Sequence, residues 1–155
     1  MTTEIERKYL VNTNAWAPAG PGVRLTQGYL TADKAGVVRV RIEGRAGTLT
    51  IKGPTRGITR GEFEYAIPVS DAEEMLASMC RQPLIDKHRH TELHGDRVWQ
   101  IDVFHGANHG LVVAEVELAD EDAMLQVPAW AEKEVSSDPR YFNSNLLTHP
   151  YREWQ

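Results

Sequence analysis

The sequence predicts an α+β fold: an eight-stranded antiparallel β-barrel with a charged lumen and helices packed outside. Three observations predict it. Most of the 155 residues fall into short runs of alternating polar and apolar side chains bounded by Gly and Pro, the signature of half-buried strands. The polar members of these runs are same-sign pairs of charges rather than the mixed set of a solvated face. Helical patterning is confined to a stretch beginning near Ser70 and to the chain after Asp120.

The first run, residues 4–11, carries Glu4-Ile5-Glu6-Arg7-Lys8. Side chains alternate along a strand, so Glu4, Glu6 and Lys8 share one face at about 6.5–7 Å spacing. Carboxylates that close repel unless a cation lies between them, and a hard divalent ion suits their oxygens. Pro18, Gly20, Pro21 and Gly22 mark a loop before the second run, residues 23–31. Residues 37–43 and 48–52 form a hairpin through Gly44-Arg45-Ala46-Gly47. Gly53-Pro54 then opens a loop whose Arg56 and Arg60 are read as solvated, and residues 62–67 resume the alternation. Ser70 is the expected N-cap of a helix, with Glu73 three residues on, followed by Met75, Leu76 and Met79. Pro83 stops that helix. Residues 84–93 and 98–104 make a second hairpin through Gly95-Asp96, and 111–118 is the last strand. Beyond Asp120 the chain is expected to be helical or irregular, with one short helix over 123–127 and another starting at Asp138-Pro139-Arg140.

The charges repeat one design. Arg39 and Arg41 flank Val40, Glu62 and Glu64 flank Phe63, Lys87 and Arg89 flank His88, and Glu115 and Glu117 flank Val116. Lys52 stands opposite Leu49 and Ile51, and Asp102 lies between Ile101 and Val103. On a solvated sheet, opposite charges tend to face one another, because directly opposed like charges destabilise. Turned inward, the same doublets suit a polyanion held by cations, with metal ions on the acidic side. About eight strands close a barrel whose interior takes side chains or one small ligand. The apolar faces then point outward and need covering, which falls to the helices.

Composition narrows the function. At 41% hydrophobic, one globular domain over residues 1–155 suffices. A net charge of -5 argues against general nucleic-acid binding. Cys80, the single cysteine, excludes an intrachain disulfide and a paired-cysteine zinc site. No stretch approaches a membrane span and no signal-like region opens the chain, so a cytoplasmic protein without a membrane partner is expected. His88 and His90 share the face opposite Lys87 and Arg89, so no zinc site is expected in the lumen. Cys80, Trp99, Trp130 and Trp154 are read as packing residues, and His105 and His109 as surface residues.

The ordered set of Glu-Ile-Glu-Arg-Lys, Arg-Val-Arg, a strand-ending Lys, Glu-Phe-Glu, Lys-x-Arg, Ile-Asp-Val-Phe and Glu-Val-Glu resembles the CYTH superfamily, also called triphosphate tunnel metalloenzymes. The likeness runs from about Glu4 to Lys133. It implies an eight-stranded tunnel that binds triphosphate compounds and hydrolyses or cyclises them with Mg²⁺ or Mn²⁺. On this resemblance Glu4, Glu6, Glu115 and Glu117 look like metal carboxylates. Glu62 and Glu64 match a middle acidic pair that binds a second metal or orients the basic residues, and Asp102 is grouped with the metal set. Arg39, Arg41, Lys52, Lys87 and Arg89 resemble phosphate-binding cations, joined by Lys133 in Ala131-Glu132-Lys133-Glu134. Lys8 and Tyr29 resemble a dyad that positions or deprotonates the attacking water. The substrate implied is a small-molecule triphosphate, foremost inorganic tripolyphosphate cleaved to pyrophosphate and phosphate. Adenylate cyclisation, thiamine or nucleoside triphosphate hydrolysis, and a non-catalytic polyphosphate-binding module remain as alternatives, and a homodimer as the open assembly.

Overall fold

The period-two alternation of the sequence reappears as strand pairing in the computed structural model, which describes residues 1–154. The strands are β1 (Thr2–Val11), β2 (Val23–Asp33), β3 (Gly36–Glu43), β4 (Ala46–Lys52), β5 (Thr59–Ile67), β6 (Ile85–His94), β7 (Arg97–Phe104), β8 (Val112–Glu117) and β9 (Ala131–Glu134), with one α-helix, α1 (Val69–Ser78). Neighbours run β5-β4-β3-β2-β6-β7-β8-β1, and β1 pairs back onto β5, closing an eight-stranded antiparallel barrel. Gly44 and Gly95, at φ of 59° and 64°, allow the tight turns of the β3–β4 and β6–β7 hairpins. β1 carries the closure: its first residues pair with β5, while Tyr9 and Val11 pair with β9. The short, charged β9 has no apolar alternation, which is why pattern reading passes over it.

The covering differs from the expected ring of helices. α1 starts at Val69 with Pro68 as its N-cap and makes no side-chain cap bond, so the Ser70–Glu73 capping box does not form. Residues 123–127 form no helix. Ala123 and Leu125 pack inward while Met124 and Gln126 are exposed, an alternation of two that suits a strap laid along the sheet. Asp138 caps only a single 3-10 turn, Pro139–Tyr141, by accepting from the Arg140 amide. No helix among the described residues is long and apolar enough to cross a membrane.

Three apolar clusters hold the barrel. On the outer face of β1, β7 and β8, Tyr9, Trp99, Ile101, Ala114 and Val116 are covered by Trp16 and by the strap, with Trp130 edge-on to Trp99 at 5.6 Å. On the outer face of β3 and β4, Val40, Ile42 and Leu49 meet Ala72 and Leu76 of α1 and Cys80 just beyond it. Gly28 of β2 lies in this contact. A Cβ there would come within 2.7 Å of the Cys80 Cβ, so a larger residue would push the helix end off the sheet. Burial raises the Cys80 thiol pKa, consistent with packing. The third cluster lies inside. Tyr29, Ile85, Phe104 and Val113 share strand faces with the lumen charges, and Val135, Tyr141, Leu146 and Leu147 of the C-terminal segment pack onto them. The barrel is therefore charged along its length but plugged with apolar side chains at the end where β1 finishes and β8 begins.

Candidate active site

Inward-facing positions of all eight barrel strands line a lumen of about 760 Å³. β1 contributes Glu4, Glu6 and Lys8, β2 Tyr29, β3 Arg39 and Arg41, β4 Lys52, β5 Arg60, Glu62 and Glu64, β6 Lys87 and Arg89, β7 Gln100, and β8 Glu115 and Glu117. Of the side chains predicted from the sequence, two do not line it. Lys133 is exposed on β9, outside the closed ring. Asp102 has no exposed surface and lies beneath the cations rather than among the lining residues.

The basic half is organised by Asp102. Its carboxylate accepts from Lys87 Nζ at 2.8 Å and from Arg89 Nε and Nη2 at 2.7 and 2.9 Å. Burial would raise its pKa, but Lys87 and Arg89 more than reverse this and hold it well below the usual range. With both oxygens taken by cations, Asp102 is their buried counter-ion in this structure, whereas the sequence reading groups it with the metal carboxylates. Burial and repulsion from Arg89 and Arg41 outweigh Asp102 at Lys87 and bring that amine down to about 7. Arg41 is likewise lowered to about 10 by burial and by its neighbours Arg39 and Arg89. Cations that depress one another in this way gain from an incoming anion. The Arg39 guanidinium donates to Thr50 Oγ1 at 3.2 Å and leaves its Nε buried without a partner.

Two amides tie this half to the C-terminal segment. Gln27 accepts from Arg41 Nε at 2.9 Å and donates to Tyr29 Oη at 3.1 Å and Asn143 Oδ1 at 3.3 Å. Asn143 Oδ1 also accepts from Lys87 Nζ at 2.9 Å. Sequence reading missed Gln27, Thr50, Asn143 and Arg60. Gln27 and Thr50 share the inward parity of their charged neighbours, a usable signal. Asn143 stands in a segment without periodicity, where no signal exists. Arg60 was assigned to a loop, whereas β5 extends back to Thr59 and turns it into the lumen.

The acidic half is short of cations. Lys52 Nζ donates to both oxygens of Glu4 at 3.0 and 2.8 Å and lies 3.5 Å from Glu62. Glu6 and Glu117 are cross-strand partners on adjacent strands, so these carboxylates form one wall. Burial and repulsion from Glu115 and Glu4 push Glu6 up to about 7. Burial, Glu4 and Glu62 also raise Glu117. Glu115 behaves oppositely. Although burial works against its charge, Lys8 at 3.4 Å and Arg89 at 3.7 Å help hold it down to about 2.

Lys8 sits where the two halves meet. Its Nζ donates to the Tyr141 carbonyl at 3.2 Å and pairs with Glu115. Burial opposes its charge, but Glu115, Glu6 and Asp102 prevail and its pKa is raised. Its carboxylate neighbours therefore favour the ammonium form of Lys8. Lys8 and Tyr29 both line the lumen, yet no hydrogen bond joins them among the described residues; the Tyr29 hydroxyl is engaged by Gln27.

The histidines stay out of the lumen. His88 and His105 share a hydrogen bond of 2.7 Å, and the His90 ring stands edge-on to Trp16. Trp154 packs against Tyr141 and Tyr151, as expected of a packing residue.

A closed antiparallel barrel with cations on one side of its lumen and uncompensated carboxylates on the other defines a tunnel protein for a polyanionic ligand. The chain belongs to the CYTH domain family, whose model matches residues 2–151. It is 44% identical over 155 residues to an inorganic triphosphatase of Acetivibrio thermocellus, covering 100% of this chain and 99% of that protein. It is 37% identical over 150 residues to an inorganic triphosphatase of Nitrosomonas europaea, covering 93% and 96%. Among solved structures, the inorganic triphosphatase NE1496 superposes with a TM-score of 0.66 at 36% identity, covering 95% of each chain. The PH1012 protein from Pyrococcus horikoshii shares the fold, with a TM-score of 0.57 at 16% identity, covering 77% of this chain and 80% of that one.

Proposed function

We propose that this protein is a metal-dependent triphosphatase that hydrolyses inorganic tripolyphosphate to pyrophosphate and phosphate. The observation that carries the reading is the cluster of Arg39, Arg41, Lys87 and Arg89 in one lumen, where burial and neighbouring cations depress both Lys87 and Arg41. The names of the two curated relatives support the same activity. Residues 1–155 act as one unit in this reading, because β1, β8 and the C-terminal segment as far as Asn143 and Ser144 meet in one lumen.

The carboxylate wall fits a divalent cation. Glu6 is mostly buried, repelled by Glu115 and Glu4, and has no cationic partner among its hydrogen bonds, which is the donor chemistry a hard ion relieves. No three such side chains among the described residues form a finished cage. That suits Mg²⁺ or Mn²⁺, since Mg²⁺ is usually bound by one or two carboxylates together with water and substrate phosphate. Glu6 and Glu117, cross-strand partners, would hold it, with Glu4 and Glu62 close by. Such an ion polarises a phosphoryl oxygen and lowers the pKa of water.

The remaining chemistry belongs to the chain itself. Phosphoryl transfer is governed chiefly by positioning and by neutralising charge on the equatorial oxygens. Arg39, Arg41, Lys87 and Arg89 bind those oxygens, and a bound triphosphate draws the Lys87 amine back to its protonated form. Lys8, anchored by Glu115 and the Tyr141 carbonyl, places a fixed positive charge at the boundary of the two halves, where the phosphate chain meets the metal wall. The Tyr29 hydroxyl, oriented by Gln27, lines the same cavity.

Release of phosphate from tripolyphosphate, ATP and thiamine triphosphate with Mg²⁺ or Mn²⁺ tests the reading, and no release from any of them in either metal refutes it. A second expectation concerns pH. Glu6 retains its proton up to about 7, so proton and metal compete for it. The metal concentration for half-maximal activity should therefore fall as pH rises from about 6 to about 8. A half-saturation point that ignores pH across that range would remove Glu6 from the metal site.

A further inference from the structure

We propose that Arg60 is a specificity-determining residue that binds the second charged end of an inorganic triphosphate, and so favours it over nucleoside triphosphates. This rests on the triphosphatase reading above.

Arg60 faces into the lumen beside Ile58 and Thr55 of the loop that precedes β5. Its Nε is closed to solvent and has no partner. It takes no part in any ion pair of the lumen among the described residues, each of which uses Lys8, Arg39, Lys52, Lys87 or Arg89 as its cation. The carboxylate nearest in register is Glu4, its cross-strand partner, but both oxygens of Glu4 are held by Lys52. A guanidinium carries five N–H donors and no acceptor, so one left without carboxylate or carbonyl in a cavity is an anion site.

Its position decides which anion. In the barrel order, β5 and β6 are four strands apart in either direction, so Arg60 stands across the lumen from Lys87 and Arg89. The acidic wall of β1 and β8 lies along one side of the path between them. A linear polyanion can then span from Lys87 and Arg89, past the carboxylates, to Arg60. Inorganic tripolyphosphate has a charged terminal phosphoryl group at both ends and satisfies both anchors. A nucleoside triphosphate bound by its terminal phosphate presents an esterified phosphate and a nucleoside at the other end, where Arg60 gains little.

The test compares wild type, Arg60→Gln and Arg60→Lys. Binding of tripolyphosphate and of ATP to the metal-free protein is measured by calorimetry, and kcat and KM for tripolyphosphate are measured with Mg²⁺. Arg60→Gln should weaken tripolyphosphate binding roughly tenfold, the loss of one charge-assisted contact, and ATP binding less than about twofold. KM for tripolyphosphate should rise with kcat little changed, and Arg60→Lys should recover most of the loss. Equal weakening of both ligands would mean a diffuse field effect and would overturn the proposal, as would unchanged tripolyphosphate binding. Thermal melts of the two variants separate lost binding from lost folding, since Arg60→Lys keeps the charge. Failure of wild type to hydrolyse tripolyphosphate would refute the triphosphatase reading instead, because the binding comparison stands without turnover.

Discussion

Replacing Asp102 by Ala should cost about 3–5 kcal/mol of folding stability, the range for removing one partner of a buried ion pair. Asp102 is fully buried and is the shared counter-ion of Lys87 and Arg89. Without it, Lys87 retains only Asn143 as a close acceptor, and Arg89 retains only Glu115 at 3.7 Å. Two buried basic groups would then repel each other and Arg41 with only those contacts to offset them. For a chain of this size the midpoint of thermal unfolding should drop by roughly 10 °C. Urea denaturation followed by circular dichroism measures the difference, and a loss below about 1 kcal/mol would contradict the assignment. The pH dependence has a defined sign. Asp102 is depressed in the folded state below its ordinary value of 3.8, so its contribution is complete above that value and disappears as pH falls through the depressed one. Wild-type stability should therefore hold through mildly acidic conditions where the variant is already weakened.

The second large effect is expected at Lys8. Lys8→Ala should lower kcat about 10²–10³-fold, as removal of a preorganised charge-stabilising donor does elsewhere. The shape of the pH profile identifies the role. The carboxylates around Lys8 raise its pKa above the ordinary 10.5, so the amine stays protonated across the neutral range. A general base would require the neutral amine. The kcat profile between about pH 6 and 9 should accordingly keep its shape in Lys8→Ala and lose only height, because no limb of it arises from Lys8. A limb present in wild type and absent from the variant would make Lys8 a proton acceptor. Lys8→Arg keeps the charge but not the single ammonium that reaches both Glu115 and the Tyr141 carbonyl, so partial rescue is expected.

How much of this was legible in the sequence depended on local repetition. Strand parity exposed the doublets Glu4/Glu6, Arg39/Arg41, Lys87/Arg89 and Glu115/Glu117, because a strand places residues two apart on one face whatever it pairs with. The same rule sent His88 and His90 outward, where the structure has them. Placement was not legible where the deciding neighbour was distant in sequence. Asp102 was grouped with the metal carboxylates by residue type, and only its pairing opposite Arg89 turned it into a counter-ion. Arg60 was placed in a loop because Gly53-Pro54 reads as a break, whereas pairing with β1 extends β5 back to Thr59. Lys133 followed a motif without a strand pattern to check it against, and β9 lies outside the ring.

By itself the sequence determined the barrel class, the polarity of its lumen and most of the charged residues that line it, since each follows from alternation within single strands. The tertiary structure alone decided which charges meet. Register set Glu6 against Glu117 and Lys8 against Glu115, and the C-terminal segment brought Asn143 onto Lys87. The physical reason is range. Parity is a property of neighbouring residues, but a pKa and an ion pair depend on separations of a few ångströms between side chains more than a hundred positions apart. Lys8 and Glu115 acquire their charge states only when β1 and β8 lie side by side.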